Sequence, residues 1–355
     1  FDGYEIDSPI DVLLVTGDLT KDGERQSHID LAEKLKKLKD CGIRVYVIPG
    51  NHDINMPASV GFKGDSTYST DNISAEQFAH IYNDFGYASA IKRDSASLSY
   101  VVQLDNNDGD NEKVWLLAID AARYDEYTTT SITDGHIKPV TEQWIIDILR
   151  EAKSQNIKVL GMMHWGLVEH MPYQSTFFPQ YLIDDHMRLA SLLADEGLRV
   201  LFTGHFHTND VTAYTSLDGN TIYDVETGTL SSYPYSYRFA DLYSDRIEIS
   251  TRNIYSVPAN PHLFDQSRIQ LQSLTERIGL SMLRRYGFDT SDDVSKSLAK
   301  VIAEIFIIHA FGDEVMTSQL RSKLEALSEN MDVPIDLKDM ELDFPPADNN
   351  LTIRF

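Results

Sequence analysis

Pro49-Gly50-Asn51-His52-Asp53 closes the apolar run Val45-Tyr46-Val47-Ile48. A β-type run that empties into such a loop marks the carboxyl end of a strand, where open α/β sheets place their chemistry. Gly50 lets the backbone turn sharply. The three side chains after it can respectively ligate a metal, move a proton and orient the proton carrier, a grouping that packing alone does not select. Taken by itself the pentapeptide also fits an Asx-turn followed by a surface histidine, so its meaning depends on the rest of the chain.

Three further apolar runs end in the same kind of chemistry. Val12-Leu13-Leu14-Val15 leads into Thr16-Gly17-Asp18-Leu19-Thr20, Val159-Leu160-Gly161-Met162-Met163 into His164, and Val200-Leu201-Phe202 into Thr203-Gly204-His205-Phe206-His207. In these four blocks, taken in order, the chain resembles the calcineurin-like metallophosphoesterases. That family's blocks are Asp-x-His, Gly-Asp, Gly-Asn-His-Asp, a lone His and Gly-His-x-His. The extended second block, Gly17-Asp18-Leu19-Thr20 with Gly23 soon after, resembles the branch that includes class III cyclic nucleotide phosphodiesterases. With its C-terminal extension the chain is most similar to the two-domain bacterial members of that branch.

The first block is missing: residues 1 to 17 contain no histidine. In the family that block supplies two ligands of one metal, and its strand lies in the middle of the sheet. A domain without that strand would leave buried ladder groups unpaired, at roughly 1 to 3 kcal/mol each. The strand is therefore expected upstream of Phe1, across a disordered or cleaved loop.

A chain of 355 residues is long enough for about two domains with sizeable cores. Its 31 basic and 55 acidic side chains give a net charge of -24, a field that repels nucleic acid, anionic membranes and anionic substrates alike. Polymeric nucleic acid is thus an unfavourable partner, and a small anionic phosphate ester needs local cations to overcome that field. The single cysteine, Cys41, cannot form an intrachain disulfide and is expected to be a buried thiol. No transmembrane run or signal peptide is visible, and since the chain begins with Phe1 the compartment stays open between cytoplasmic and exported.

In chain order, a helix is expected from about Glu24 to Asp40, with His28, Leu31, Leu35 and Leu38 on one face and Gly42 as its stop. His28 reads as a packing residue rather than a ligand. Strand, helix and strand then make a βαβ unit with parallel strands. Met56 to Asn72 is a polar excursion, either a wall of the substrate cleft or simple connection. A short helix from Ser74 to Phe85 follows, then antiparallel strands Ser97 to Leu104 and Val114 to Ile119, joined by the acidic turn Asp105 to Asp110. The loop Asp120 to Asp134, with Arg123, Tyr124 and Tyr127, should lie near the cleft, and Thr141 should cap a helix through Ala152. The aromatic-rich stretch Trp165 to Tyr181 either stacks on a nucleobase or packs against the second domain. A helix from Ile183 to Glu196 leads to the strand Leu198 to Phe202, and Asp218-Gly219 forms a tight turn between two strands. Val257-Pro258-Ala259-Asn260-Pro261 marks a boundary, and the helical periodicity beyond it predicts a small helical domain.

The expected architecture, as in the family, is α/β: a four-layer αββα sandwich of two mixed sheets over residues 1–256, with a helical accessory domain over 257–355. That accessory domain is open to capping the active site or to forming a homo-oligomer. By resemblance, Asp18 bridges two transition metal ions; Asn51, His164 and His205 complete one site, and His207 joins the other. Such a donor set suits Mn, Fe or Zn. His52 would protonate the leaving oxygen, Asp53 would hold its ring, and a metal-bridging hydroxide would be the nucleophile. The activity so implied is hydrolysis of small phosphodiesters, cyclic nucleotides first. Phosphomonoester hydrolysis by the same site is the alternative, and a non-catalytic scaffold without Asp-x-His is the rival of another class.

Overall fold

The computed structural model describes residues 10–104, 113–328 and 341–355. It opens with β1 (Val12–Val15), α1 (Arg25–Asp40), β2 (Arg44–Val47) and the hairpin β3 (Val60–Lys63) and β4 (Ser66–Ser69). Next come α2 (Ala75–Ile81), β5 (Lys92–Arg93), β6 (Tyr100–Leu104), β7 (Val114–Ile119), α3 (Pro139–Ser154) and β8 (Lys158–Met163). The short α4 (Gln174–Phe177), α5 (His186–Asp195) and β9 (Val200–Thr203) are followed by β10 (Asp210–Thr215), β11 (Thr221–Glu226), β12 (Ser236–Leu242) and β13 (Arg246–Asn253). Three helices, α6 (Leu263–Arg285), α7 (Asp293–Phe311) and α8 (Ser318–Ser328), precede the strand β14 (Asn350–Arg354).

The predicted βαβ unit is present, with β1 and β2 parallel and Val15 in register with Val47. A larger mixed sheet runs in the order β10-β11-β9-β8-β7-β6-β5. In it β7, β8 and β9 are parallel and β6 is antiparallel to β7. Every residue of β7 is buried, as expected for a parallel strand covered on both faces. This mixed α/β layering, with a helical C-terminal part, agrees with the architecture that the resemblance implies.

The chain forms two compact units. The first takes the chain up to Leu167, Phe178–His205 and Tyr214–Ile222; the second takes Val168–Phe177, Phe206–Ala213 and Tyr223–Phe355. Ile48, Leu116, Leu117, Ile119, Ile145 and Leu149 fill the first core. In the second, Gly279 of α6 comes close to the backbone of Ala299 on α7, and Leu283, Leu298 and Ala299 form a buried cluster.

Local readings fare unevenly, each for a physical reason. His28 is fully buried and its ring is hydrogen-bonded on both sides, by Tyr82 Oη and the Asp53 carbonyl, each at 2.9 Å. Cys41 is a correction: it is exposed, because it is the residue that ends α1, with its N–H turned back onto the Leu38 carbonyl. Thr141 is a second correction, since α3 starts at Pro139 with Lys138 as its cap residue, and the buried Thr141 hydroxyl donates to Asp94 Oδ2 at 2.6 Å. The helix read from Ile183 begins only at His186, because Ile183 bridges to Gly135 and Asp185 is left-handed. The helix read from Ser74 ends earlier than expected, at Ile81, although Ser74 and Gln77 do form a capping box. The chain's last residues are not helical but pair as β14 with β13. The acidic turn Asp105 to Asp110 lies outside the described residues. No helix among the described residues is long and apolar enough to cross a membrane.

Candidate metal centre

Because β1 and β2 are parallel and in register, the loops after Val15 and Val47 leave the same end of the pair and bring Asp18 to the Gly50 turn. Asp18 Oδ1 accepts the His52 N–H at 3.1 Å. A Cβ on Gly50 would stand 2.2 Å from that same oxygen, so only glycine leaves room for the carboxylate. Gly17, at φ +98°, is similarly confined: a Cβ there would meet His164 Nδ1 at 2.6 Å. Asp18 and His205 adopt φ values of 51° and 73°, left-handed backbone that non-glycine residues hold only where the surroundings enforce it. From the larger sheet, parallel β8 and β9 deliver His164 and His205 side by side, tied by Gly204 N–H to the His164 carbonyl at 3.0 Å.

Asp18, His164 and His205 each offer one ligand atom within 4.8 Å of the others. His164 Nδ1 lies 2.6 Å from the Thr16 carbonyl and therefore carries the proton. Its Nε2 is left facing Asp18 Oδ2 at 3.3 Å and His205 Nδ1 at 3.0 Å. His205 Nε2 in turn lies 3.2 Å from the Gln180 carbonyl. Each imidazole thus turns a nitrogen toward the other with a carboxylate beside them, a convergence that a shared proton or a metal ion satisfies. Burial alone would raise the Asp18 carboxyl, but the imidazoles of His164, His205 and His52 outweigh it and hold the group well below the usual carboxylate range. Burial would lower the pKa of His164, and Asp18 and the Thr16 carbonyl reverse that.

Asn51 is 3 % exposed, and its Oδ1 has no hydrogen-bond partner among the described residues. A buried amide oxygen left unmatched is costly, and a metal would satisfy it. Carboxylate, two imidazoles and an amide oxygen are the donor set of a borderline transition ion, so these residues fit the family's metal. Tyr127 Oη donates to the Asn51 carbonyl at 3.0 Å, which bears out the placing of its loop beside the site.

His52 sits at the rim, its side chain 41 % exposed, with Nδ1 3.9 Å from Asp22 Oδ1. Asp53 does not hold that ring. Its carboxylate accepts Thr20 N–H and Gly50 N–H, both at 2.9 Å, and Thr20 Oγ1 at 3.1 Å, so it braces the turn instead. Burial and the nearby Asp18 push the Asp53 carboxyl up to about 7. His207 belongs to the second unit, where it is exposed at φ 65°. Asp22 was not singled out from sequence, although it precedes Gly23 within the second block. The Met56 to Asn72 excursion forms a concavity of about 310 Å³ lined by Met56, Ser59, Val60, Tyr68 and Asn72, with none of these metal-type side chains in it. Of the aromatic stretch, Trp165 is fully buried and packs edge-on against His164, and Tyr181 lies over His205 at 4.9 Å between centroids.

Comparison with known proteins adds three findings. The DNA double-strand break repair protein Mre11 of Sulfurisphaera tokodaii is 25 % identical over 218 residues, 61 % of this chain and 42 % of that protein. The chain therefore spans less than half the length of that relative. A solved structure described as a 5′-nucleotidase from Staphylococcus aureus aligns with 77 % of this chain and 56 % of its own, at 12 % identity and a TM-score of 0.36. The family model described as calcineurin-like phosphoesterase matches residues 1–209, more than half of the chain and all four blocks, and the chain belongs to that family.

Proposed function

We propose that the protein is a binuclear metal-dependent phosphodiesterase for small substrates, cyclic nucleotides foremost. The observation that carries this reading is the facing nitrogens of His164 and His205 beside Asp18, with the unmatched Asn51 oxygen completing the set. By the resemblance alone, His207 would serve the second ion. Mn, Fe or Zn, when bound, neutralises phosphate oxygens and lowers the pKa of water. The chain's own residues do the rest. The Thr16 and Gln180 carbonyls fix the tautomers of His164 and His205. Asp53 holds the turn that presents Asn51 and His52. His52, solvent-facing and outside the ligand set, protonates the leaving oxygen, with Asp22 as the carboxylate nearest its ring.

A small substrate is favoured over the DNA named for the Mre11 relative, because a net charge of -24 opposes a polyanion. Residues 257–355 are assigned as an accessory part that supplies no ligand to this centre, with self-association as a candidate role. The test compares hydrolysis of bis-p-nitrophenyl phosphate and p-nitrophenyl phosphate after reconstitution with Mn, Fe or Zn. Faster diester turnover is expected; preference for the monoester assigns phosphomonoesterase activity instead, and no turnover with either leaves the scaffold.

A further inference from the structure

The second unit contains another group of chemistry-bearing side chains that shares no residue with the Asp18 centre. Asp210 opens β10, Glu314 follows the Gly312 turn at the end of α7, and Asp343 and Asp348 precede β14. One ligand atom from each of the four lies within 4.8 Å of the other three. Asp210 and Asp348 are fully buried and Glu314 is 6 % exposed.

Some of their oxygens are accounted for. Asp210 Oδ1 accepts His170 Nδ1 at 2.6 Å and Thr212 Oγ1 at 3.0 Å. Asp348 accepts the backbone N–H of Val211 at 2.8 Å and that of Asp313. Glu314 Oε1 is paired with His309 Nδ1. Three oxygens are not: Asp210 Oδ2, Glu314 Oε2 and Asp343 Oδ1 are buried without a hydrogen-bond partner among the described residues. His309 Nδ1 stands 3.5 Å from Asp210 Oδ2 and is already shared with Glu314. His170 is no remedy, because it is divided among Asp210, Asp224 and Glu226. Arg238 donates to the Glu226 and Asp348 carbonyls and to Thr251 Oγ1 rather than to a carboxylate oxygen, and its Nε has no hydrogen-bond partner among the described residues.

Buried carboxylates so close together repel one another unless a proton or a cation is supplied. We propose that Asp210, Glu314 and Asp343, with Asp348 at the edge, form a binding site for a hard divalent cation of the Ca²⁺ type. Carboxylate oxygens from separate turns are the donors such ions take, whereas the histidine-rich Asp18 centre suits softer ions. The ion would tie β10 to the turn after α7 and to the segment before β14, all within one unit.

The test uses the full chain carrying Asp18→Asn, which silences the first centre, stripped with EDTA and titrated with Ca²⁺ by calorimetry and thermal melting. About one equivalent of Ca²⁺ should bind, and the midpoint should rise by about 5 °C at saturation. Adding Glu314→Gln or Asp343→Asn should weaken Ca²⁺ binding at least about tenfold while the far-UV spectrum is retained. Asp343 is only partly buried, so Asp343→Asn carries the test if Glu314→Gln fails to fold. No Ca²⁺ uptake by the stripped protein, or uptake of equal affinity in the Asp343→Asn variant, overturns the site.

Discussion

His164 Nε2 stands 3.0 Å from His205 Nδ1, and the opposite nitrogen of each ring faces a backbone carbonyl. The two facing nitrogens stand beside Asp18, an arrangement that a shared proton or a metal ion satisfies. The carbonyls of Thr16 and Gln180 are therefore as much part of the site as the side chains.

Asn51→Ala removes the one amide oxygen of the set and should lose metal and activity together. Elemental analysis after reconstitution with Mn or Zn, read beside diester turnover, checks it. Full metal content in a folded Asn51→Ala protein would remove Asn51 from the ligands.

Gly50→Ala tests the steric argument. A methyl 2.2 Å from Asp18 Oδ1 must displace the carboxylate or the turn. The expected result is a loss of about 1 to 3 kcal/mol in denaturant unfolding, with metal affinity falling as well. At Gly197 an added Cβ meets nothing within 4 Å, so the same substitution costs only the backbone strain of its φ of +101° and should leave metal content at the parent level.

Much of this centre was legible because its parts are local. Each ligand ends a short apolar run, so Asp18, Asn51, His164 and His205 could be named before any pairing was known, and parallel register then brings them together. Interactions that bridge distant positions with no spacing rule were not legible. Asp53 sits next to His52, which suggested a partnership, yet its carboxylate is used by Thr20 and Gly50. Asp210, Glu314 and Asp343 come from three separate stretches, and in an acidic sequence none of them stands out. Cys41 beside a helix end, and Thr141 three residues into one, show how boundary errors of a few residues reverse a burial or capping assignment.

His28 gives the chain a pH dependence independent of metal. It is buried neutral: Nε2–H donates to the Asp53 carbonyl, Nδ1 accepts from Tyr82 Oη, and burial lowers its pKa to about 4. An unfolded histidine titrates near 6.5. Between those values the unfolded chain binds the extra proton, so stability present above about 6.5 is lost as pH falls toward 4. The shift corresponds to roughly 3 kcal/mol. Urea unfolding of the metal-free protein at pH 7 and pH 4.5 should show the loss, and His28→Gln should flatten that part of the profile. An unchanged profile would contradict the assignment of a neutral, buried imidazole.

His52 separates an enzyme from a scaffold most cleanly, because it lies outside the ligand set. Replacing it with Ala removes no metal donor; the contact to Asp18 is made by the His52 backbone N–H and survives the substitution. Metal content should therefore hold while turnover falls by about 10² to 10⁴, the usual contribution of a general acid. The loss should shrink as the leaving group becomes more acidic: p-nitrophenolate hardly needs a proton, whereas a ribose or alkyl oxygen does. Asp22→Asn should produce a smaller loss of the same kind, since Asp22 Oδ1 lies 3.9 Å from His52 Nδ1. A His52→Ala protein that hydrolyses a ribose ester as fast as its parent would take the acid role away from His52, and a parent with no turnover on any ester would favour the scaffold.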